Sequence, residues 1–411
     1  MAKIFPFRAF HYNTKKIGDL SDVIIPPYDN IPKGDDEKYL ARSPYNFAHV
    51  LLPQSKEEDY SRSKTLLGKW FSHDILVTDP EPGYYLYRQT FTLGGTEHRR
   101  DTLMCTVELQ DFSDGVVRPH ENTFGVFKND RLQILRQTHS NLSHVFGMVK
   151  DPQGYLNSIY ERWEFQAPLL HGKTDDGGDH AVWKVDAGKV PELARYLETQ
   201  PIYIVDGHHR YESALTYARE IGALGKPGHP ASRMLFSLAN AYDPALIVLP
   251  THRIVRHTDQ LATEILHKRY DLVPMSEQEL QAFVAKPRKT PDFGLYWQGK
   301  LHRCTPKHWD RQQENLGKAL YRLAVTWSDQ IFLPTVAGVD ETNRKERVTY
   351  ERELGKVWDA RDGADLVIFH APPAITDVMD VADARQFMPQ KSTYFHPKLA
   401  AGLIMRDHEK A

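Results

Sequence analysis

Ile202-Tyr-Ile-Val-Asp-Gly-His-His-Arg-Tyr211 is the stretch that decides how this chain is read. Ile202 to Val205 is an apolar, β-prone run and Asp206-Gly207 is turn chemistry. From there Tyr211, Ala214, Leu215, Ala218 and Ile221 recur at helical spacing. The stretch predicts a strand, a glycine turn and a helix. Such a junction aims free backbone N–H groups and the positive end of the helix dipole at one point, where anions bind. His208, His209 and Arg210 add donors suited to phosphate oxygens, so Gly207, His208, His209 and Arg210 are the candidate phosphate contacts. Asp206 beside them is a candidate partner for a metal or a hydroxyl.

Composition narrows the setting. A chain of 411 residues exceeds one ordinary core, and two or three domains or subdomains are expected. Lys plus Arg total 52 against 54 for Asp plus Glu, so whole-chain charge argues against a nucleic-acid or membrane partner. Cys105 and Cys304 are isolated, which suits a reducing compartment and a place in the core. The start, Met1 to Phe10, lacks the long apolar segment of a signal peptide and no run reaches the length of a membrane span, so a cytoplasmic location is expected.

Outward from the central stretch, the pattern predicts an extended segment at Val23–Tyr28, a helix over Glu57–Phe71, and a strand over Tyr84–Leu93. Gly94-Gly95 then turns into a second strand, His98–Leu109. A helix over Arg131–Asn141 and strands at Ala181–Val185 and Ala245–Leu249 flank the glycine turn, and helices are expected at Asp259–Tyr270, Gln312–Trp327 and Asp340–Trp358. The fold class is α+β, in three segments: 1–115, 116–256 and 257–411.

A second polar constellation is Val117-Arg-Pro-His-Glu-Asn-Thr-Phe124, which follows the Leu109 strand. A third is Lys391-Ser-Thr393, whose ammonium and two hydroxyls suit phosphate and Mg²⁺, without the glycine-rich loop of a Walker A motif. Thr251-His-Arg253 follows an apolar strand and Pro250, so its side chains are candidates for the strand end near the phosphates. Tyr28, Asp29 and Asn46 are candidates for shaping a substrate pocket. The 20 histidines include no His-Glu-x-x-His, which argues against zinc, and Gly-x-Gly-x-x-Gly is absent, which argues against a dehydrogenase.

The string Asp206-Gly-His-His-Arg-Tyr-Glu-Ser-Ala214 resembles the phosphate loop of the ParB/sulfiredoxin superfamily. Ile25-Pro-Pro-Tyr-Asp29, Ser43-Pro-Tyr-Asn-Phe47, Pro119-His-Glu-Asn-Thr123, Leu249-Pro-Thr-His-Arg253 and Met388-Pro-Gln-Lys-Ser-Thr-Tyr-Phe395 extend a resemblance over nearly the whole chain. The family it points to is widespread in microbes and catalogued as a domain of unknown function, related to archaeal free-serine kinases. The resemblance implies a ParB/sulfiredoxin-like nucleotide-binding core at 116–256, an N-terminal α+β region at 1–115, and a C-terminal α/β extension at 257–411 that returns to the active site.

The same resemblance implies a function: phosphoryl transfer from ATP or ADP, with Mg²⁺, to the hydroxyl of a small molecule, free L-serine first, giving O-phosphoserine. Glu121 is then the candidate general base, with His120 and Thr123 as neighbours. Gly207 to Arg210, with Thr123, Lys391, Ser392 and Thr393, are the nucleotide contacts, and Asp206 is the metal ligand or acceptor-orienting group. An alkyl hydroxyl needs such a base because it becomes a competent nucleophile only as its proton leaves. The alternative from another class is a ParB-like nucleotide-dependent regulatory or DNA-binding switch without kinase activity. Charge balance and the lack of a helix-turn-helix count against that switch. A sulfiredoxin-like reductase is disfavoured because His208 stands where sulfiredoxins carry cysteine. Self-association into a homo-oligomer stays open.

Overall fold

The computed structural model describes residues 2–28, 31, 34–52, 60–122, 125–163, 165–258, 261–311 and 316–409. The chain divides into two compact units. The first comprises Met1–Arg118, Thr123–Leu246 and Pro397–Ala411; the second comprises Pro119–Asn122 and Ile247–His396. Both mix helix with sheet.

The first unit is built on a nine-stranded mixed sheet. Its order is Val117–Arg118, Ile202–Asp206, Val145–Val149, Arg233–Asn240, Thr96–Glu108, Gly83–Leu93, Asp179–Asp186 and Leu170–Lys173, with Ile4–Phe5 pairing alongside Thr96–Glu108. The expected hairpin is present: Gly83–Leu93 and Thr96–Glu108 pair antiparallel around Gly94-Gly95, both at positive φ, the left-handed region that glycine enters without a Cβ clash. Because this sheet draws strands from both sides of residue 115, the boundary expected there falls inside one core.

Helices Gly125–Thr138 and His208–Glu220 pack against each other. The periodicity read from the sequence seats the second helix: Tyr211, Ala214, Leu215 and Ala218 are buried with Ile202, Ile204, Phe236 and Leu238. Ile221 breaks the pattern at 44% exposure, because it is the C-cap residue rather than the next turn. Cys105 is buried in the same core.

The second unit carries a six-stranded antiparallel sheet: Tyr270–Pro274, Lys300–Pro306, Phe293–Trp297, Leu366–Phe369, His252–Val255 and Val348–Glu351. Both faces are covered. Leu366 and Ile368 join one apolar cluster with Phe293, Cys304 and Phe332, whereas Val367 and Phe369 join another with Leu280 and Val357. The helix expected over Asp340–Trp358 is instead a short helix, the strand Val348–Glu351 and a second helix, Leu354–Asp359. The β-branched and aromatic residues of Val348-Thr-Tyr350 pair with His252–Val255, which outweighs the helical spacing around them. Gln312–Trp327 also breaks up: of its described part, Lys318–Tyr321 and Ala324–Thr326 are short helices that lead into a π-helix, Trp327–Phe332.

Candidate functional site

In the first unit the predicted strand-turn-helix is present as Ile202–Asp206, Gly207 and His208–Glu220. Gly207 sits at φ 92, and a Cβ there would come within 2.9 Å of the Arg210 guanidinium. Glycine is required twice over, by the left-handed backbone and by the arginine folded across it. The helix start is thereby fixed directly after the strand, with buried His208 as its first residue.

Asp206 is the hub of this turn. One carboxylate oxygen accepts from the Arg210 guanidinium, one helical turn on, and the other accepts from the Lys398 ammonium. Burial opposes its charge, yet Lys398 and Arg210 outweigh burial and hold the carboxyl below the usual carboxylate range. Arg210 also donates to the carbonyl of His144. Both Asp206 oxygens therefore face cations, and the described residues contain no cluster of three His, Cys, Asp or Glu side chains that would form a metal centre. Asp206, expected as a metal ligand or acceptor-orienting group, pairs here with both cations.

Lys398 carried no signal in the sequence reading, and its position is set by the sheet. Arg100, fully buried, donates to Gln89 and, at 2.5 Å, to the Pro397 carbonyl. Gln89 Nε2 donates to the Lys398 carbonyl at 2.9 Å, and the Ala400 N–H donates to the Tyr87 hydroxyl at 3.2 Å. His144 Nε2 lies 3.2 Å from the Ala400 carbonyl, while its Nδ1 lies 2.6 Å from Ser237 Oγ. Burial pushes the His144 imidazole down to about 4, so it is neutral near pH 7.

Beside this turn, Arg210 lines a shallow cleft with Arg131, Ser140, Asn141, Ser143 and Ser213. A neighbouring pocket shares Arg210, Leu51 and Ser143 and adds Pro27, Tyr28 and His144. The Arg131 guanidinium lies over the Tyr28 ring at 3.6 Å and donates to the Leu51 carbonyl. Tyr28 is one of the residues lining this second pocket. Asn46 does not: it is buried, donating to Asp22 O and accepting from Ala48 N–H. Asp29 lies outside the described residues.

The other two constellations meet in the second unit. Glu121 bridges to Met388 in parallel register, and the Met388 N–H donates to the His120 carbonyl at 2.8 Å. Glu121 Oε1 accepts from the Lys391 N–H at 3.2 Å, and His120 Nε2 lies 3.0 Å from Thr393 Oγ1. Ser392 is buried and turned inward to the Pro389 carbonyl. Lys391 takes φ 58, the left-handed conformation of a tight turn. The sequence pattern named both segments and gave no hint that they pair. Thr123 lies outside the described residues.

Arg253, read from sequence as a residue near the phosphates, belongs to the core of the second unit. It is fully buried and grips Asp329 through two N–H···O bonds of 3.0 and 2.9 Å. The signal that pointed to it, polar residues after an apolar strand and a proline, also describes a buried ion pair.

Comparison with known proteins places the chain in a family. Among solved structures, a conserved hypothetical protein from Pyrococcus furiosus is 13% identical at TM-score 0.36, covering 75% of this chain and 97% of that one. A free serine kinase in complex with AMP is 12% identical at TM-score 0.38, with 75% and 93% covered. A mutant free serine kinase in complex with ADP is 11% identical at TM-score 0.37, with 75% and 94% covered. No curated protein matches the chain. The family model described as "Protein of unknown function (DUF1015)" matches residues 4–327, most of the chain, and the chain belongs to that family.

Proposed function

We propose that the chain is a phosphotransferase that moves a phosphoryl group from ATP or ADP to the hydroxyl of a small molecule, free L-serine being the first acceptor to test. One observation carries the reading. At the start of helix His208–Glu220, directly after a left-handed glycine, two largely buried cations, Arg210 and Lys398, converge on the single carboxylate of Asp206. The turn thus gathers two cationic donors at the positive end of a helix, a setting in which an anion such as a nucleotide phosphate is favoured. In this reading the turn belongs to a ParB/sulfiredoxin-like nucleotide-binding core.

Within it, the His208, His209 and Arg210 N–H groups donate to phosphate oxygens, and Asp206 anchors the Arg210 fork and pairs with Lys398. Glu121 is proposed as the base that accepts the acceptor's hydroxyl proton, with His120, Lys391 and Thr393 fixing the segment around it. Because Asp206 is committed to Lys398 and Arg210, Mg²⁺ is assigned to the nucleotide phosphates rather than to a protein cluster. Catalysis of this kind works by positioning and electrostatic stabilisation more than by covalent chemistry.

The test is direct. Purified protein is incubated with Mg²⁺, ATP or ADP, and a panel of amino acids and polyols, and products are read by mass spectrometry. A phosphorylated acceptor, O-phosphoserine first, is expected; unchanged nucleotide and acceptors across the panel would refute the proposal.

A further inference from the structure

We infer that Lys398 is a phosphate-positioning residue, delivered to the Asp206–Arg210 turn by the strap Pro397–Ala401. The inference rests on the reading of that turn as a phosphate site and adds to it a cation that lies beyond the residues matched by the family model.

The strap is held residue by residue. Arg100 fixes the Pro397 carbonyl, Gln89 the Lys398 carbonyl, Tyr87 the Ala400 N–H and His144 the Ala400 carbonyl. Ala401 and Ile25 exchange two backbone hydrogen bonds, at 2.8 and 3.1 Å. Arg100 shows what this fixation demands: burial pushes its guanidinium down to about 10, and it donates to Gln89 and to a strap carbonyl. A desolvated cation is expensive. Spending one on the main chain just before Lys398 fixes where that lysine emerges.

Lys398 and Arg210 then play different parts. The Arg210 fork is locked by Asp206 on one side and the His144 carbonyl on the other. Lys398 presents a compact ammonium on a flexible stem, with its side chain 13% exposed, and can turn its donors toward a phosphate oxygen while staying within reach of Asp206. Asp206 thus acts as the fixed anchor and Lys398 as the movable cation. Lys391, the lysine that the sequence pattern favoured, offers its backbone N–H to Glu121 in the second unit.

The experiment titrates inorganic pyrophosphate and ADP into the full chain by calorimetry, for wild type, Lys398→Met and Lys398→Arg, with a thermal melt of each. Wild type is expected to bind both ligands. Loss of one charge-assisted contact predicts about 10- to 100-fold weaker binding of each to Lys398→Met. Lys398→Arg, which restores the charge but not the compact ammonium, is expected to recover part of the binding lost in Lys398→Met. Lys398→Gln repeats the neutral substitution should Lys398→Met fail to fold. Wild-type binding matched by a folded neutral variant overturns the inference and leaves the phosphate site standing. Equal weakening in the neutral and arginine variants assigns Lys398 to packing and also overturns it. A folded wild type that binds neither ligand overturns the phosphate site and the inference together.

Discussion

Asp206→Asn is the substitution whose outcome the geometry fixes most tightly. The amide keeps the shape of the side chain but removes the one negative charge shared by Arg210 and Lys398, whose side chains are 9% and 13% exposed. Breaking a buried ion pair from one side costs roughly 3–5 kcal/mol, because the remaining charge is left desolvated. The carboxylate itself keeps 17% exposure, which places the expected loss near the lower end, about 3 kcal/mol. For a unit of this size that corresponds to a melting-temperature drop of about 6–12 °C. The pH dependence has a definite sign. The folded carboxyl lies below its unfolded value of about 3.9, so its contribution is complete above that pH and is lost only as pH falls toward the lowered folded value. The assay is a thermal melt of wild type, Asp206→Asn and the double variant Asp206→Asn/Lys398→Met at neutral pH. The double variant is expected to recover part of the loss, because one of the two stranded cations is gone. A single variant that melts within about 1 °C of wild type, with the double variant no better, would refute the assignment of Asp206 as the counter-ion of this turn.

Gly207→Ala combines a left-handed backbone at φ 92 with a Cβ 2.9 Å from Arg210, so it is expected to destabilise by about 1–3 kcal/mol and to weaken ADP binding, checked by melting and calorimetry. Glu121→Gln is expected to keep nucleotide binding and to lose about 10²- to 10⁴-fold in acceptor phosphorylation, and near wild-type turnover removes Glu121 from the mechanism. Lys391→Met is expected to raise the KM for acceptor or nucleotide with little change in melting, against Lys64→Met as a control; identical kinetics in the two variants place Lys391 outside the reaction. Burial pushes His144 and His180 down to about 4, below the unfolded value of about 6.5, so the stability they confer is complete above pH 6.5 and declines toward pH 4. Melting temperatures recorded from pH 7.5 to 4.5 should fall across that window, and a flat profile contradicts the assignment of both rings as buried and neutral.

The parts of this fold that the sequence made legible are those in which local pattern and tertiary burial agree. Ile202 to Ala218 carries a strand run, a glycine turn and a 3.6-residue spacing that the core then buries. The hairpin around Gly94-Gly95 was legible for the same reason. Arg233–Asn240 was not, because it runs through the middle of the sheet and is buried on both faces, leaving no alternation to read. The sheet that spans residue 115 was hidden for a related reason: its pairings join strands that no local signal connects. Among site residues, the Gly207–Arg210 turn was legible from local chemistry, while Lys398, 192 residues from Asp206, was not. Its neighbours Pro397 and Leu399 give no sign that Arg100 and Gln89 pin the chain there. The pairing of Glu121 with Lys391 and of His120 with Thr393 is likewise a product of tertiary structure.

The central claim is that nucleotide phosphates seat at the turn after strand Ile202–Asp206, and a crystal structure of the chain with ADP and Mg²⁺ tests it most directly. The account predicts the terminal phosphate within hydrogen-bonding distance of the His208, His209 or Arg210 N–H groups, with the Lys398 ammonium turned toward it and Asp206 still paired with Arg210. ADP bound at full occupancy with its phosphates away from Gly207 to Arg210 would contradict it.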